Sequence, residues 1–282
     1  MMLIKMIVAM MAFAANSVLC RLALKGAHID AISFSCIRLT SGAVALFILL
    51  QLIAGRKKPA FNLINATLLA IYVFAFSVAY ISLGTATGAL LLFGTVQLVM
   101  TAWGVARKEK LTPLKIAGML AALAGIGLLL LPGAESPPAS AAVWMIISGI
   151  AWAIYSITGK QVVDASASTT GNFILAVPLA AIVFLFDHST AYFDSTGLLL
   201  GVVSGAITSG GAYLLWYSLL PKLAPTTAST LQLSVPCLAT LGGIIFMGEP
   251  LDLRIAASTA IILSGIGIVI LADKRKRLAQ RG

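Results

Sequence analysis

Apolar runs of about twenty residues recur along the whole chain, separated by short polar segments. An α-helix rises about 1.5 Å per residue, so a run of roughly 20 residues crosses a hydrocarbon core about 30 Å thick. Spans are read at 3–23, 31–54, 62–83, 87–106, 114–132, 141–160, 170–186, 197–217, 226–247 and 254–272. In lipid every backbone polar group must be satisfied inside its own helix or in a closed barrel. Runs this long and this continuously apolar do not alternate as barrel strands do. The expected fold class is an all-α integral membrane protein of ten transmembrane helices.

Composition agrees, with 60% of the 282 residues hydrophobic and 10% charged, against about 25% charged in a soluble domain. The net charge of +10 would suggest nucleic acid only on the basic face of a water-soluble domain, and no such domain fits. The cations cluster between spans, at Arg56-Lys57-Lys58, Arg107-Lys108-Glu109-Lys110 and 274–277. With both termini in the cytoplasm, only Arg21, Lys25 and Arg254 fall outside, and Asp30, Glu135, Asp187, Asp194, Glu249 and Asp252 lie on the outer side, as the positive-inside rule expects. A multi-pass inner-membrane protein with cytoplasmic ends is therefore predicted. Lys5, the apolar stretch after it and Ala12-Phe13-Ala14 imitate a signal peptide, but the run is read as the first span. The longest connections, 133–140 and 187–196, carry turn residues. Cys20, Cys36 and Cys237 show no chelating or disulfide spacing.

The two halves resemble each other. Residues 109–131 lie over 249–271 without a gap, residue n on residue n + 140, so that Leu111 meets Leu251, Leu123 meets Leu263, and Gly125-Ile126-Gly127 meets Gly265-Ile266-Gly267. Copies separated by an odd number of spans have opposite orientations in the membrane. Residues 1–132 and 141–272 are thus expected to be five-helix repeats of inverted topology, followed by a basic cytoplasmic tail, 273–282. Two such halves can exchange shapes and so alternate access to a shared cavity.

Tyr213-Leu214-Leu215-Trp216-Tyr217-Ser218-Leu219-Leu220, the small residues 224–228, Pro236, Gly248-Glu249 ahead of Leu251, and Arg38 in the second span together resemble the drug/metabolite transporter superfamily, in its ten-span branch of EamA-type exporters. Within that branch the chain is similar to bacterial exporters of aromatic amino acids. The resemblance implies export of Phe, Tyr, Trp or related compounds. One departure is Val96, which stands where the repeat would place a second proline.

Polar or aromatic side chains inside apolar spans are the candidate site, because an unpartnered buried amide costs about 2 kcal/mol or more. Asn16, Gln97 and Gln232 offer donors and acceptors to a solute's amino or carboxylate group; interhelical hydrogen bonding is the equal alternative. Tyr72, Phe76 and Tyr80, then Phe93 beside Gln97, Trp152 with Tyr155, and Tyr213 with Trp216 and Tyr217 fall at helical spacing. Tyr80, Phe93, Trp152, Tyr155 and Tyr213 are taken as substrate-facing, whereas Trp216 and Tyr217, near the end of their run, suit an interfacial belt. Pro236 should kink the ninth span and serve as a hinge. Gly201 and Gly205 are expected to pack helices.

Arg38 is the strongly charged residue well inside a span and is expected to snorkel or to pair with a carbonyl or Asp30. No carboxylate or histidine stands at span depth, which favours movement down the solute's own gradient over proton-coupled antiport. His28 and His188 are isolated loop residues, so no catalytic constellation, phosphate loop, cofactor or metal site is predicted. Small solute and lipid are the expected partners, with no nucleic acid and no obligate protein partner. A channel or a non-transporting scaffold are the remaining readings.

Overall fold

The structure is a computed structural model, and it describes residues 2–52, 55, 57–109, 111–130, 138–186, 191–248 and 253–279. The described residues are helical apart from short connections and one isolated antiparallel bridge, Ile29 with Phe193. We number the helices α1 (Met2–Lys25), α2 (Ala31–Leu52), α3 (Leu63–Ser82), α4 (Thr85–Ala106), α5 (Pro113–Leu130), α6 (Ala139–Gly159), α7 (Ala165–Phe186), α8 (Ser195–Lys222), α9 (Pro225–Met247) and α10 (Leu253–Ala279). Eight of them are long and apolar enough to cross a membrane; α5 and α10 contribute shorter apolar stretches, Pro113–Gly125 and Ala256–Ala272.

Local chemistry sets several boundaries. Asp30 accepts from the Ile32 and Ser33 amides at the start of α2, and Asp164 from the Ser166 and Ala167 amides at the start of α7. Asn62 caps α3 through Asn65 N, and Asp194 caps α8 through Gly197 N. Each cap satisfies backbone donors that the first helical turn leaves unpaired. Because Asp164 starts α7 at Ala165, that helix begins five residues ahead of the predicted 170. α9 ends on Gly248 at φ 69, a left-handed position that glycine takes without steric cost. α10 runs on through Ala279, so helical backbone continues into what the sequence suggested was a separate tail. Arg56, Lys110, Glu135, Asp187, His188, Glu249, Leu251 and Asp252, named above, and residues 280–282 of the tail lie outside the described residues.

Among the described residues α7 carries Pro178 inside its helix and α8 ends in a 3-10 turn, Leu220–Lys222, and two further irregularities lie within spans. In α8, Ser204–Gly211 is a π-helical segment between α-helical Ser195–Val203 and Ala212–Leu219. Its small residues let α2 approach closely, and a Cβ on Gly205 would overlap the Arg38 carbonyl and the Ser41 hydroxyl. Such segments redirect side chains and are common at functional sites. In α9 the helix breaks at Leu233, between Pro225–Gln232 and Ser234–Met247. Pro236 has no N–H for the Gln232 carbonyl and its ring crowds that turn, so the break falls where the proline demands it.

The packing pairs equivalent helices. α2 lies against α7 and α5 against α10; α3 packs on α6 as α8 packs on α1, and α4 meets both α6 and α9. The α5–α10 contact is held by glycines. A Cβ on Gly265 would press on Gly118 O and Ala122 N, and one on Gly125 on Ser258 O and Ile262. Residues 118, 122 and 125 are n to the n + 140 of 258, 262 and 265, so the contact is reciprocal under that offset. Gly118 meets Gly265, Ile268 and Val269, whereas Gly125 meets Ile262 and Ser258, so α5 and α10 run antiparallel.

The connections are tied at both ends of the bundle. The α1–α2 loop joins the α7–α8 loop through His28 Nδ1 and Asp194 Oδ2, 2.7 Å apart, Asp30 N to Tyr192 O at 3.1 Å, and Asp194 N to His28 O at 2.9 Å. At the opposite end the α2–α3 loop joins the α6–α7 loop through Lys57 Nζ to Asp164 Oδ2 at 2.7 Å and Ala60 N to Ala167 O at 2.9 Å. The Lys57 ammonium, the Ser166 hydroxyl and the Ala167 amide hold the Asp164 carboxyl well below the usual carboxylate range.

Replacing Gly265 with Leu should destabilise the purified protein by about 1–3 kcal/mol through overpacking. Gly267→Leu should be tolerated, since nothing lies within 4 Å of a Cβ there; thermal unfolding in detergent compares the two. Asp164 has a folded-state pKa below its unfolded value, so its contribution is complete above the unfolded carboxylate pKa of about 3.9 and is lost as pH falls further. The gap in unfolding temperature between the protein and Asp164→Asn should therefore stay constant from pH 8 to about pH 5 and narrow below about pH 4.

Candidate substrate-binding site

Helices from both halves bring an aromatic and polar centre together in the middle of the bundle. Trp152 of α6 is its hub. Its ring lies 4.7 Å from Tyr213 of α8, 4.9 Å from Tyr72 of α3, 5.3 Å from Phe13 of α1 and 5.7 Å from Tyr155, the last pair stacked at 27°. The indole Nε1 donates to Gln232 Oε1 of α9 at 2.6 Å. Tyr80 joins at the edge through Phe76, 4.7 Å away. Such edge and offset contacts suit the ring quadrupoles.

Tyr155 is pinned on several sides. Its hydroxyl accepts from Asn172 Nδ2 at 3.3 Å and its carbonyl from the Tyr217 hydroxyl at 3.0 Å. Trp216 and Tyr217 are fully buried, and Trp216 Nε1 donates to Ser156 Oγ at 3.1 Å. The interfacial-belt reading of this pair is therefore wrong. Their place near the end of the run gave depth, but α6 supplies the partners that receive both side chains inside the bundle.

A polar chain crosses this aromatic layer. Asn16 Oδ1 of α1 accepts from Ser204 Oγ at 2.7 Å, Thr208 Oγ1 at 3.3 Å and Ser209 Oγ at 3.5 Å, all on the π segment. Ser209 Oγ in turn accepts from Arg38 Nε at 2.8 Å, while Arg38 Nη2 donates to the Tyr213 hydroxyl at 2.7 Å and to the Tyr72 hydroxyl at 3.3 Å. Arg38 is 0% exposed, and its guanidinium carbon sits 5.4 Å over the Tyr72 ring and 5.1 Å over Phe76. Neither snorkelling nor pairing with Asp30 describes it: Asp30 is taken up by helix capping and the Tyr192 amide. The expectation failed because spacing along α2 does not reveal that α3 and α8 supply hydroxyls to meet the charge.

Asn16, Trp152, Tyr155, Tyr213 and Gln232, all named from sequence, meet in this centre, with Tyr80 at its rim. Gln97 faces α9 to one side, its Nε2 donating to Thr101 Oγ1 at 3.2 Å and its Oε1 accepting from Thr230 Oγ1 at 3.5 Å. Phe93 is buried on the same helix, and no described ring contact joins it to the cluster. Pro236 lies one turn beyond Gln232, after the break. Arg38, Ser209, Tyr72, Phe13 and Phe173, the last 5.6 Å from Tyr213, complete the centre and were not in the sequence-derived set. The clue to Ser209 was the run Ser204-Gly205-Ala206-Ile207-Thr208-Ser209-Gly210-Gly211, too rich in small polar residues for a plain apolar span.

A polar groove at the Lys57 end is lined by Lys5, Lys57, Asp164, Ser166, Tyr217 and Lys222. Tyr217, buried behind this groove, touches Tyr155 at 4.7 Å between rings.

The sequence profile of the EamA-like transporter family matches residues 1–131 and again residues 139–271. An uncharacterized protein of Pseudomonas aeruginosa is 44% identical over 280 residues, 98% of this chain and 96% of that protein. An uncharacterized transporter of Archaeoglobus fulgidus is 29% identical over 198 residues, 68% of this chain and 69% of its own length. The threonine/homoserine exporter RhtA of Salmonella typhimurium is 29% identical over 140 residues, 47% of this chain and 46% of the exporter. A solved structure described only as "Crystal structure of protein" superposes with a TM-score of 0.79 at 18% identity, covering 95% of this chain and 98% of the other; at that identity the likeness concerns the fold.

Gln232→Ala should leave the Trp152 indole N–H buried without its acceptor, at a cost of about 1–3 kcal/mol. In a double-mutant cycle with Trp152→Phe, read by thermal unfolding, the coupling should come to about 0.6–1.7 kcal/mol, the usual range for hydrogen bonds between membrane helices.

Proposed function

The chain belongs to the EamA-like transporter family, and we propose that it exports neutral amino acids, aromatic ones foremost, or closely related small organic solutes by alternating access. The observation that carries this reading is the centre itself. Rings and amides from α1 and α3 meet rings and amides from α6, α8 and α9 at the level where two half-bundles would share a solute. Flat rings offer stacking surfaces, and the amides of Asn16 and Gln232 offer both donors and acceptors. The partial relative RhtA, a threonine/homoserine exporter, supports an amino acid as the class of cargo.

In this reading all ten helices span the inner membrane, α5 and α10 included, with both ends of the chain in the cytoplasm. Residues 1–132 and 141–272 form repeats of opposite orientation. The reciprocal, antiparallel contact of α5 with α10 and the capped starts of α2 and α7, and of α3 and α8, support that relation. The loop junctions at His28–Asp194 and Lys57–Asp164 would then be the two gates, and rocking about the centre would open one while the other stays closed. Pro236 and the π segment are the natural flexing points, since both lack a complete ladder of i to i − 4 hydrogen bonds. The groove of Lys5, Lys57 and Lys222 is the cytoplasmic approach to Tyr217.

The charges support passage down the solute's own gradient. Among the described residues the buried cations are Arg38 and Lys115, the latter bonded to Glu109 at 2.8 Å, and no buried carboxylate lies among them. A proton-driven carrier commonly keeps such a carboxylate at membrane depth. Purified protein in liposomes should give saturable efflux of labelled phenylalanine, tryptophan or threonine, and Trp152→Ala should lower it about tenfold or more. Uphill accumulation driven by an imposed pH gradient would instead establish proton-coupled antiport, and unsaturable flux a channel. No flux of any amino acid would end the export reading.

A further inference from the structure

Arg38 is the buried group that the export reading, as stated so far, does not use. It lies about 10 Å along α2, fully enclosed. All its described partners are neutral: the hydroxyls of Ser209, Tyr72 and Tyr213, and the ring faces of Tyr72 and Phe76. Its third nitrogen, Nη1, is buried with no hydrogen-bond partner. Among the described residues the ion pairs are His28–Asp194, Lys57–Asp164 and Lys115–Glu109, and none includes Arg38. A guanidinium cannot shed its proton in a protein, so it cannot neutralise itself as a buried lysine can. A full positive charge therefore stands in a low-dielectric interior with two N–H groups unassigned, which is costly unless an anion completes the site.

The surroundings define that anion. The Nη1 N–H groups, the donors left over, suit a carboxylate oxygen, which they meet in a charge-assisted hydrogen bond. Tyr72 and Tyr213, which hold Arg38, are in ring contact with Trp152 at 4.9 and 4.7 Å, so a ligand on Arg38 would lie beside the aromatic centre. Gln232 and Asn16 supply uncharged amides nearby, and no second buried cation reaches this region among the described residues. The set fits one negative charge next to a flat or apolar body.

We propose that Arg38 is the anchor for the carboxylate of the carried solute, so that this protein selects carboxylate-bearing amino acids or small organic acids over their amides and amines. The proposal rests on the export reading for its cargo and adds the group that the cargo must present. Nη1 takes the carboxylate while Ser209 and Tyr213 hold the fork in place. Rings now in mutual contact part to admit the solute, as any carrier must do on leaving a closed form. With the anion bound, the charge on Arg38 is neutralised, so the loaded form is the one in which burying this residue costs least.

The test uses the full-length protein twice, in detergent for ligand-induced shifts of unfolding temperature and in liposomes for flux. Its probes are L-phenylalanine, L-threonine, their amides, 3-phenylpropionate and phenethylamine. The wild type should be stabilised by at least one acid and not by the matching amide or by phenethylamine. Arg38→Gln should weaken the acid response about thirtyfold or more, and Arg38→Lys should restore part of it. A role limited to cross-linking helices would lower folding stability in Arg38→Gln without changing the preference for acid over amide. The proposal is overturned if acids and amides stabilise the wild type equally, if no acid does, or if Arg38→Gln keeps the acid preference. The wild-type comparison decides even if that variant does not fold. Acid binding without flux would sink the export reading and leave the anchor standing; flux in which acid and amide are equally sensitive to Arg38→Gln would do the reverse.

Discussion

Lipid offers no hydrogen-bond partners, so each backbone N–H and C=O in a membrane span must be satisfied by the span itself. That constraint makes the spans helical and makes every departure from a regular helix expensive. Here the π segment at Ser204–Gly211 and the break at Leu233 both border the central cluster. The first presents Ser204, Thr208 and Ser209 toward Asn16 and Arg38. The second follows Gln232, which holds the Trp152 indole. In the π segment the Thr208 hydroxyl bonds back to Ser204 O, a small polar residue supplementing the backbone ladder where it is irregular. The irregular backbone and the candidate site are thus one feature.

What was legible in the sequence follows from the same constraint. Spans are visible because lipid demands length and apolarity, two properties that do not depend on neighbours. Asn16, Gln232 and Trp152 stand out because a polar atom in an apolar run needs a partner, even when the partner is unknown. Rotation about the helix axis is what a single run conceals. Trp216 and Tyr217 looked like interfacial anchors because they sit near an end, yet neighbouring α6 supplies Ser156 Oγ and the Tyr155 carbonyl to receive them. Phe93 shows the converse: helical spacing placed it beside Gln97, but the rings of the cluster gather around α6 and α8. Arg38 was recognisable as anomalous and not as solved, because its partners are 34, 171 and 175 residues away in the chain.

The glycine pattern carries more information than its composition suggests. In the repeated Gly-Ile-Gly, the first glycine of each copy lies under a neighbour and the second has open space beside it. Gly125 needs the room for Ser258 and Ile262, and Gly265 needs it for Gly118 and Ala122. Small residues allow close van der Waals packing, the main attraction left between helices where no hydrophobic effect separates lipid from side chain. A duplicated sequence whose copies touch through the same residues is the arrangement a self-complementary interface requires.

The placement of charge separates the ends of the bundle from its middle. His28–Asp194 is a partly exposed pair, with side chains 36% and 51% accessible, and so is Lys57–Asp164, at 51% and 33%. Water and salt screen such contacts, so each contributes little. Junctions of that strength can hold a closed form and still be broken by thermal motion. Arg38 has no such screening, and its interaction with anything charged is correspondingly large. Weak, replaceable ties at the rims and one enclosed charge at the core, met only by neutral groups, divide the labour in the proposed exporter: the rims would set how readily the molecule changes shape, and the core what it holds while it does so.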